Sequence, residues 1–190
     1  MKKFCVLSVI LMTVFLSANG HCDTMDGPVV AAGKKAIENN NVNYVLPWVG
    51  VDDENEIKDA FSLVMKVRIL NDDARELADR YFLETVVRIH RTHEGVGYTG
   101  IKPAGTPVDE KIKAADESIE KGDLSMLTEL VPEESIPELQ KRFDKVMVLR
   151  NFDVNDVEAG REYVEAYVNF FHFAEESGET NHHGHEPQYH

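Results

Sequence analysis

Residues 78–91, ADRYFLETVVRIHR, and residues 159–173, AGREYVEAYVNFFHF, read as two versions of one amphipathic helix, set 82 positions apart. At that offset residues 36–90 align without a gap to residues 118–172. Identities fall at Ile37/Ile119, Glu38/Glu120, Val49/Val131, Glu56/Glu138, Phe61/Phe143, Val64/Val146, Met65/Met147, Arg68/Arg150, Glu76/Glu158, Tyr81/Tyr163 and His90/His172. Val42/Leu124, Val45/Leu127, Ile57/Leu139 and Val67/Leu149 keep apolar character without identity. A constant offset over so long a stretch is what a tandem duplication leaves behind. The expected fold is therefore all-α, a helical bundle built from two tandem repeats of about three helices each around a shared core.

The apolar period predicts helices over 28–39, 43–49, 53–70 and 73–94, then over 107–121, 124–131, 135–151 and 155–176. Asp53 with Glu56, Asp73 with Glu76, Ser135 with Glu138 and Asn155 with Glu158 have capping-box spacing. Thr106-Pro107 puts a capping residue before a proline suited to a first turn. Nothing alternates as a half-buried strand would. Repeat 1 is expected over 21–94 and repeat 2 over 107–176. The glycine-rich linker 95–106 joins them, with Tyr98 and Ile101 packed on the bundle. Residues 177–190, SGETNHHGHEPQYH, read as a disordered His-rich tail. Its His182, His183, His185 and His190 would bind divalent metal weakly.

Residues 1–20, MKKFCVLSVILMTVFLSANG, have the three parts of a secretory signal. Lys2 and Lys3 are the positive start, Phe4 to Leu16 the apolar run, and Ser17 to Gly20 the small-residue cleavage site. The run is too short for the roughly 20 residues that span a bilayer, and no later segment is apolar enough. A lipoprotein is disfavoured because His21 precedes Cys22. A periplasmic or secreted protein without a membrane span is expected, cut after Gly20. The chain has a formal charge of −14, and loss of Lys2 and Lys3 makes it more acidic still. Phosphate-bearing partners such as nucleic acid would be repelled, whereas cations are suited. No phosphate loop, nucleophile elbow or Cys-x-x-Cys is present, so no nucleotide cofactor is expected.

Of two cysteines, Cys5 leaves with the signal and Cys22 is left without a disulfide partner. A lone thiol in an oxidising compartment needs a reason. Cleavage after Gly20 would create the start His21-Cys22-Asp23-Thr24-Met25-Asp26-Gly27, with an α-amine, a backbone amide, a thiolate and an imidazole within two residues. Such donors form adjacent chelate rings around copper or nickel. This start resembles the nickel hook of the nickel superoxide dismutases, which open with His-Cys-Asp-x-Pro-Cys-Gly. His21, Cys22, Asp23 and Gly27 match. The family's second cysteine falls on Asp26, its proline on Met25 and its tyrosine on Val29. With one thiolate in place of two, the resemblance implies a metal ligand set and not dismutation. A buried structural Cys22 or an intermolecular disulfide would also account for the thiol.

More broadly, HCDTMDGPVV (21–30), ADRYFLETVVRIHR, YTGIKPAG (98–105) and AGREYVEAYVNFFHF resemble an uncharacterised family of secreted bacterial helical proteins. That resemblance implies fold and export and no reaction. His90 and His172 occupy equivalent places, and a pseudo-twofold would bring both to one metal site. His90 also follows Leu83, Val86 and Val87 on one face, as a hydrogen-bonded core histidine would. His93 is expected to be exposed. Glu158, Glu162, Glu165, Asn169, His172 and Glu176 read as a solvated stripe without a Glu-x-x-His pair. The metal candidates are thus His21, Cys22, Asp26, His90 and His172. The leading expectation is an exported protein binding copper or nickel at His21 and Cys22. The rival is a metal-free helical interaction module with an envelope protein partner, and a metal-dependent redox enzyme is third.

Overall fold

A computed structural model describes residues 21–177, so the expected signal (1–20) and all but the first residue of the expected tail lie outside the described residues. Among the described residues seven α-helices follow one another: α1 (Pro28–Asn39), α2 (Glu54–Val67), α3 (Asp72–His93), α4 (Glu110–Lys121), α5 (Ser125–Thr128), α6 (Ile136–Leu149) and α7 (Val157–Glu176). Single turns of 3-10 helix occupy His21–Asp23, Val42–Tyr44, Leu46–Trp48, Val51–Asp53 and Glu133–Ser135. The protein is all-α, and the sole extended pairing among the described residues is one parallel bridge between Thr24 and Lys102. The bounds 28–39 and 54–67 recur 82 positions later at 110–121 and 136–149.

Local chemistry explains the starts better than capping boxes do. Asp53 and Ser135 precede α2 and α6 but make no side-chain cap, because each already has helical dihedrals from the 3-10 turn before it. Asn71 caps α3 by accepting from Ala74 N at 2.8 Å. Asp156 caps α7 by accepting from Ala159 N at 3.0 Å. In each case the cap sits off the predicted position, on an Asn or Asp with non-helical dihedrals. The predicted helix start at Pro107 moves to Glu110. Thr106 Oγ1 is spent donating to Pro103 O at 2.6 Å, and Asp109 accepts from Lys111 N instead.

The single shared core expected from the repeats is replaced by two. Val29, Val30, Ile57, Phe61, Val64, Phe82 and Val86 are buried together between α1, α2 and α3. Ile112, Leu127, Leu139, Phe143, Val146, Phe170 and Ala174 are buried between α4, α6 and α7. Each three-helix unit closes its own apolar faces, and Trp48 packs against both. The halves meet where the turn Leu46–Trp48 lies on α7. Trp48 and Tyr167 stand edge to face with centroids 5.6 Å apart. Arg161 of α7 donates to Glu54 Oε1 at 2.6 Å and to the Val49 carbonyl. At Gly160 the backbone comes close to Pro47, since a Cβ there would lie 2.6 Å from Pro47 Cγ and 2.9 Å from Phe152 Cε2.

Candidate functional site

The segment 21–27 is stitched down from both sides. Thr24 Oγ1 donates to His21 O at 2.9 Å and Gly27 N donates to Thr24 O at 3.0 Å, closing a tight turn. Any side chain at Gly27 would collide with the His21 carbonyl. The linker runs alongside: Lys102 N donates to Asp23 O at 2.8 Å and Met25 N donates to Lys102 O at 2.9 Å. The Asp23 carboxylate, 6 % exposed, faces Lys102 Nζ at 3.2 Å. His21, Cys22, Asp23 and Thr24 are buried as a result.

His21 and Cys22 line a cavity of about 160 Å³ between the halves. Arg91 and Glu94 reach it from the end of α3, and Tyr167, Phe171 and His172 from α7. The His21 ring stacks on Phe171, with centroids 4.9 Å apart and planes at 13°. Its Nε2 lies 3.0 Å from Tyr167 Oη and 3.3 Å from Asp116 Oδ2. Tyr167 donates its one proton to Asp116 Oδ1 at 2.9 Å. Burial, then the Asp116 carboxylate, holds the phenol pKa well above its ordinary range, so that proton stays. The Tyr167 oxygen must then accept from His21, whose Nε2 carries a hydrogen. Nδ1 makes no hydrogen bond to another of the described residues.

The Cys22 thiol pKa is pushed far above its ordinary value, first by burial and next by the Glu94 charge, against a smaller opposing effect from Arg91. A thiol so placed stays protonated, attacks poorly and resists oxidation. That is one physical reason a lone cysteine can persist.

Behind the cavity, His90 is held at Nδ1 by the Trp48 carbonyl at 2.8 Å and faces Glu94 Oε1 through Nε2 at 3.3 Å. Arg91 Nη1 donates to the other Glu94 oxygen at 3.0 Å. Burial works to raise the Glu94 pKa, but the His90 hydrogen bond and the charges of His90, Arg91 and His172 outweigh it and hold it low.

The candidates named from the sequence therefore part company. His21, Cys22 and His172 share the cavity, with His172 exposed at its rim. His90 does not line it and is the hydrogen-bonded core histidine of the alternative reading. Asp26 is exposed and turned to the linker, where its Oδ2 accepts from Gly105 N at 2.9 Å, a bond that lowers its pKa. Asp116, Tyr167, Arg91 and Glu94 were not singled out by any motif. Tyr167 lies 82 positions after Thr85, a residue of different chemistry, so the comparison at that offset passes over it. Among the described residues, no three His, Cys, Asp or Glu side chains are grouped closely enough to hold a metal ion by themselves.

Residues 26–173 match the model of a family of unknown function, DUF6448. No curated protein and no solved structure matches the chain.

Proposed function

The chain belongs to this family of unknown function, so its chemistry has to be argued from its own residues, and we propose that it binds a transition-metal ion, copper or nickel, at His21 and Cys22. The reading requires export and removal of the leader after Gly20, which frees the His21 amine. The ligands are then that amine, His21 Nδ1, the first backbone amide and the Cys22 thiolate. The observation that carries it is the commitment of His21 Nε2 to Tyr167 and Asp116. A metal-bound histidine characteristically gives its other ring N–H to a carboxylate, which fixes the ring and raises its basicity. Asp116, directly at 3.3 Å and through Tyr167, is such a partner for His21 Nε2, and Nδ1 is the nitrogen able to chelate together with the amine. His172 and Glu94 offer further donors at the cavity. Asp26 is engaged elsewhere and has no part in this ligand set.

The test is native mass spectrometry of the protein secreted through its own leader. A chain beginning at His21 and carrying one copper or nickel ion is expected. Cys22→Ser should lose the ion with helicity unchanged, and Asp116→Ala should weaken binding about 10- to 100-fold. A chain that begins at His21 and takes up neither ion when both are supplied overturns the reading.

Burial of the protonated Cys22 thiol and the lacing of 23–25 to Lys102 favour a second reading, a metal-free interaction module whose N-terminus is a packing strap. In that case Cys22→Ser changes stability alone. Superoxide or peroxide turnover that vanishes with Cys22→Ser would instead support a redox enzyme.

A further inference from the structure

The outer face of α2 and α3 leaves a groove of about 300 Å³ lined entirely by apolar residues, Leu63, Val64, Val67, Leu77, Ala78 and Tyr81. Its floor is buried, Val64 at 1 % and Ala78 at 5 % exposure, whereas the ridges Leu63, Leu77 and Tyr81 stand 54 %, 70 % and 50 % exposed. Ile69 and Leu70, in the α2–α3 turn, are 74 % and 70 % exposed. The other half lacks this surface. At the matching positions Lys145 replaces Leu63 and Ala159 replaces Leu77, while Gly160, opposite Ala78, is covered by Phe152 and Pro47. Leu70 is the counterpart of Phe152, yet it points outward and covers nothing comparable.

We propose that this face is where a second copy of the chain docks, with the two copies related by a twofold axis. A twofold interface requires a surface that complements itself. Here ridge and groove lie side by side on one face, so Leu77 of each copy can enter the groove of the other. Five apolar side chains, each at least half exposed, amount to on the order of 500 Å² per copy. Doubling that reaches roughly the 1,000 Å² at which specific interfaces begin. The chain's charge of −14 opposes self-association. Arg75 and Arg80 are already paired within the chain, to Asp72 and Glu84, so apolar burial has to drive the association. The face is remote in sequence from His21 and Cys22, and the proposal stands or falls separately from metal binding.

The experiment is sedimentation velocity on the secreted protein from low to high micromolar concentration. A concentration-dependent dimer is expected. Leu77→Glu should weaken its dissociation constant by on the order of 30-fold or more, as loss of a central anchor does. Leu63→Glu provides a second variant if Leu77→Glu fails to fold by circular dichroism. Val148→Glu, an 81 % exposed position on α6, should leave the dimer intact. A monomer at every concentration overturns the proposal, and so does a dimer that withstands both glutamates. Co-purification of a different protein's helix on this face, with the chain itself monomeric, overturns it equally.

Discussion

Tyr167→Phe isolates the hydrogen-bond network that orients His21. The ring is 5 % exposed, and phenylalanine fills the same space, so no cavity opens. What disappears is a bond donated to the Asp116 carboxylate at 2.9 Å and one accepted from His21 Nε2 at 3.0 Å. A hydrogen bond to a charged group contributes about 1.5–3 kcal/mol. The Asp116 side chain is 45 % exposed, so water can replace the phenol there, and the low end applies. His21 keeps Asp116 Oδ2 at 3.3 Å, which limits the second loss. The expected cost is about 2 kcal/mol, or a Tm lower by roughly 4–8 °C for a domain of this size. Thermal and urea unfolding followed by circular dichroism would measure it. Tyr163→Phe is the control. Its phenol pKa is also raised, by burial first and the Asp116 charge second, but its hydroxyl makes no hydrogen bond to another of the described residues, so a change within about 0.5 kcal/mol is expected. Equal losses in the two variants, or none in Tyr167→Phe, would refute the assignment of the Nε2 proton and the metal-orienting role built on it.

Gly160→Ala should cost about 1–3 kcal/mol by overpacking against Pro47 and Phe152, read as a lower urea midpoint with an unchanged slope. Cys22 should resist a thiol reagent at neutral pH in the folded apo protein and react once unfolded; rapid labelling of the native state would contradict its burial. Glu94 has a folded pKa held below its ordinary value of 4.5. Its stabilising contribution is therefore complete above that value and is lost as pH falls through the folded pKa. The stability gap between wild type and Glu94→Gln should accordingly close on acidification below 4.5, and a gap independent of pH would refute the ion pairing with His90 and Arg91.

The helical class was legible because apolar period is a local property, and the long helices α1, α2 and α3 satisfy it without outside help. Asn40 and Gly122 end α1 and α4 in the left-handed conformation that these residue types favour. Cap positions were not readable to the residue. Asn71 and Asp156 compete with neighbouring capping residues, and only the backbone dihedrals choose between them. The prominence of His21 and Cys22 came from the sequence, as did the alternative that His90 belongs to the core. Their surroundings did not. Asp116 and Tyr167 come from α4 and α7, and Glu94 from the end of α3. Nothing in the chain's order announces that these three elements converge on residue 21, because the convergence is a product of how the halves pack. The division into two cores has the same origin. Sequence periodicity shows which face of a helix is apolar, but the partner of that face is decided when each unit closes on itself, with Trp48 packed against both cores.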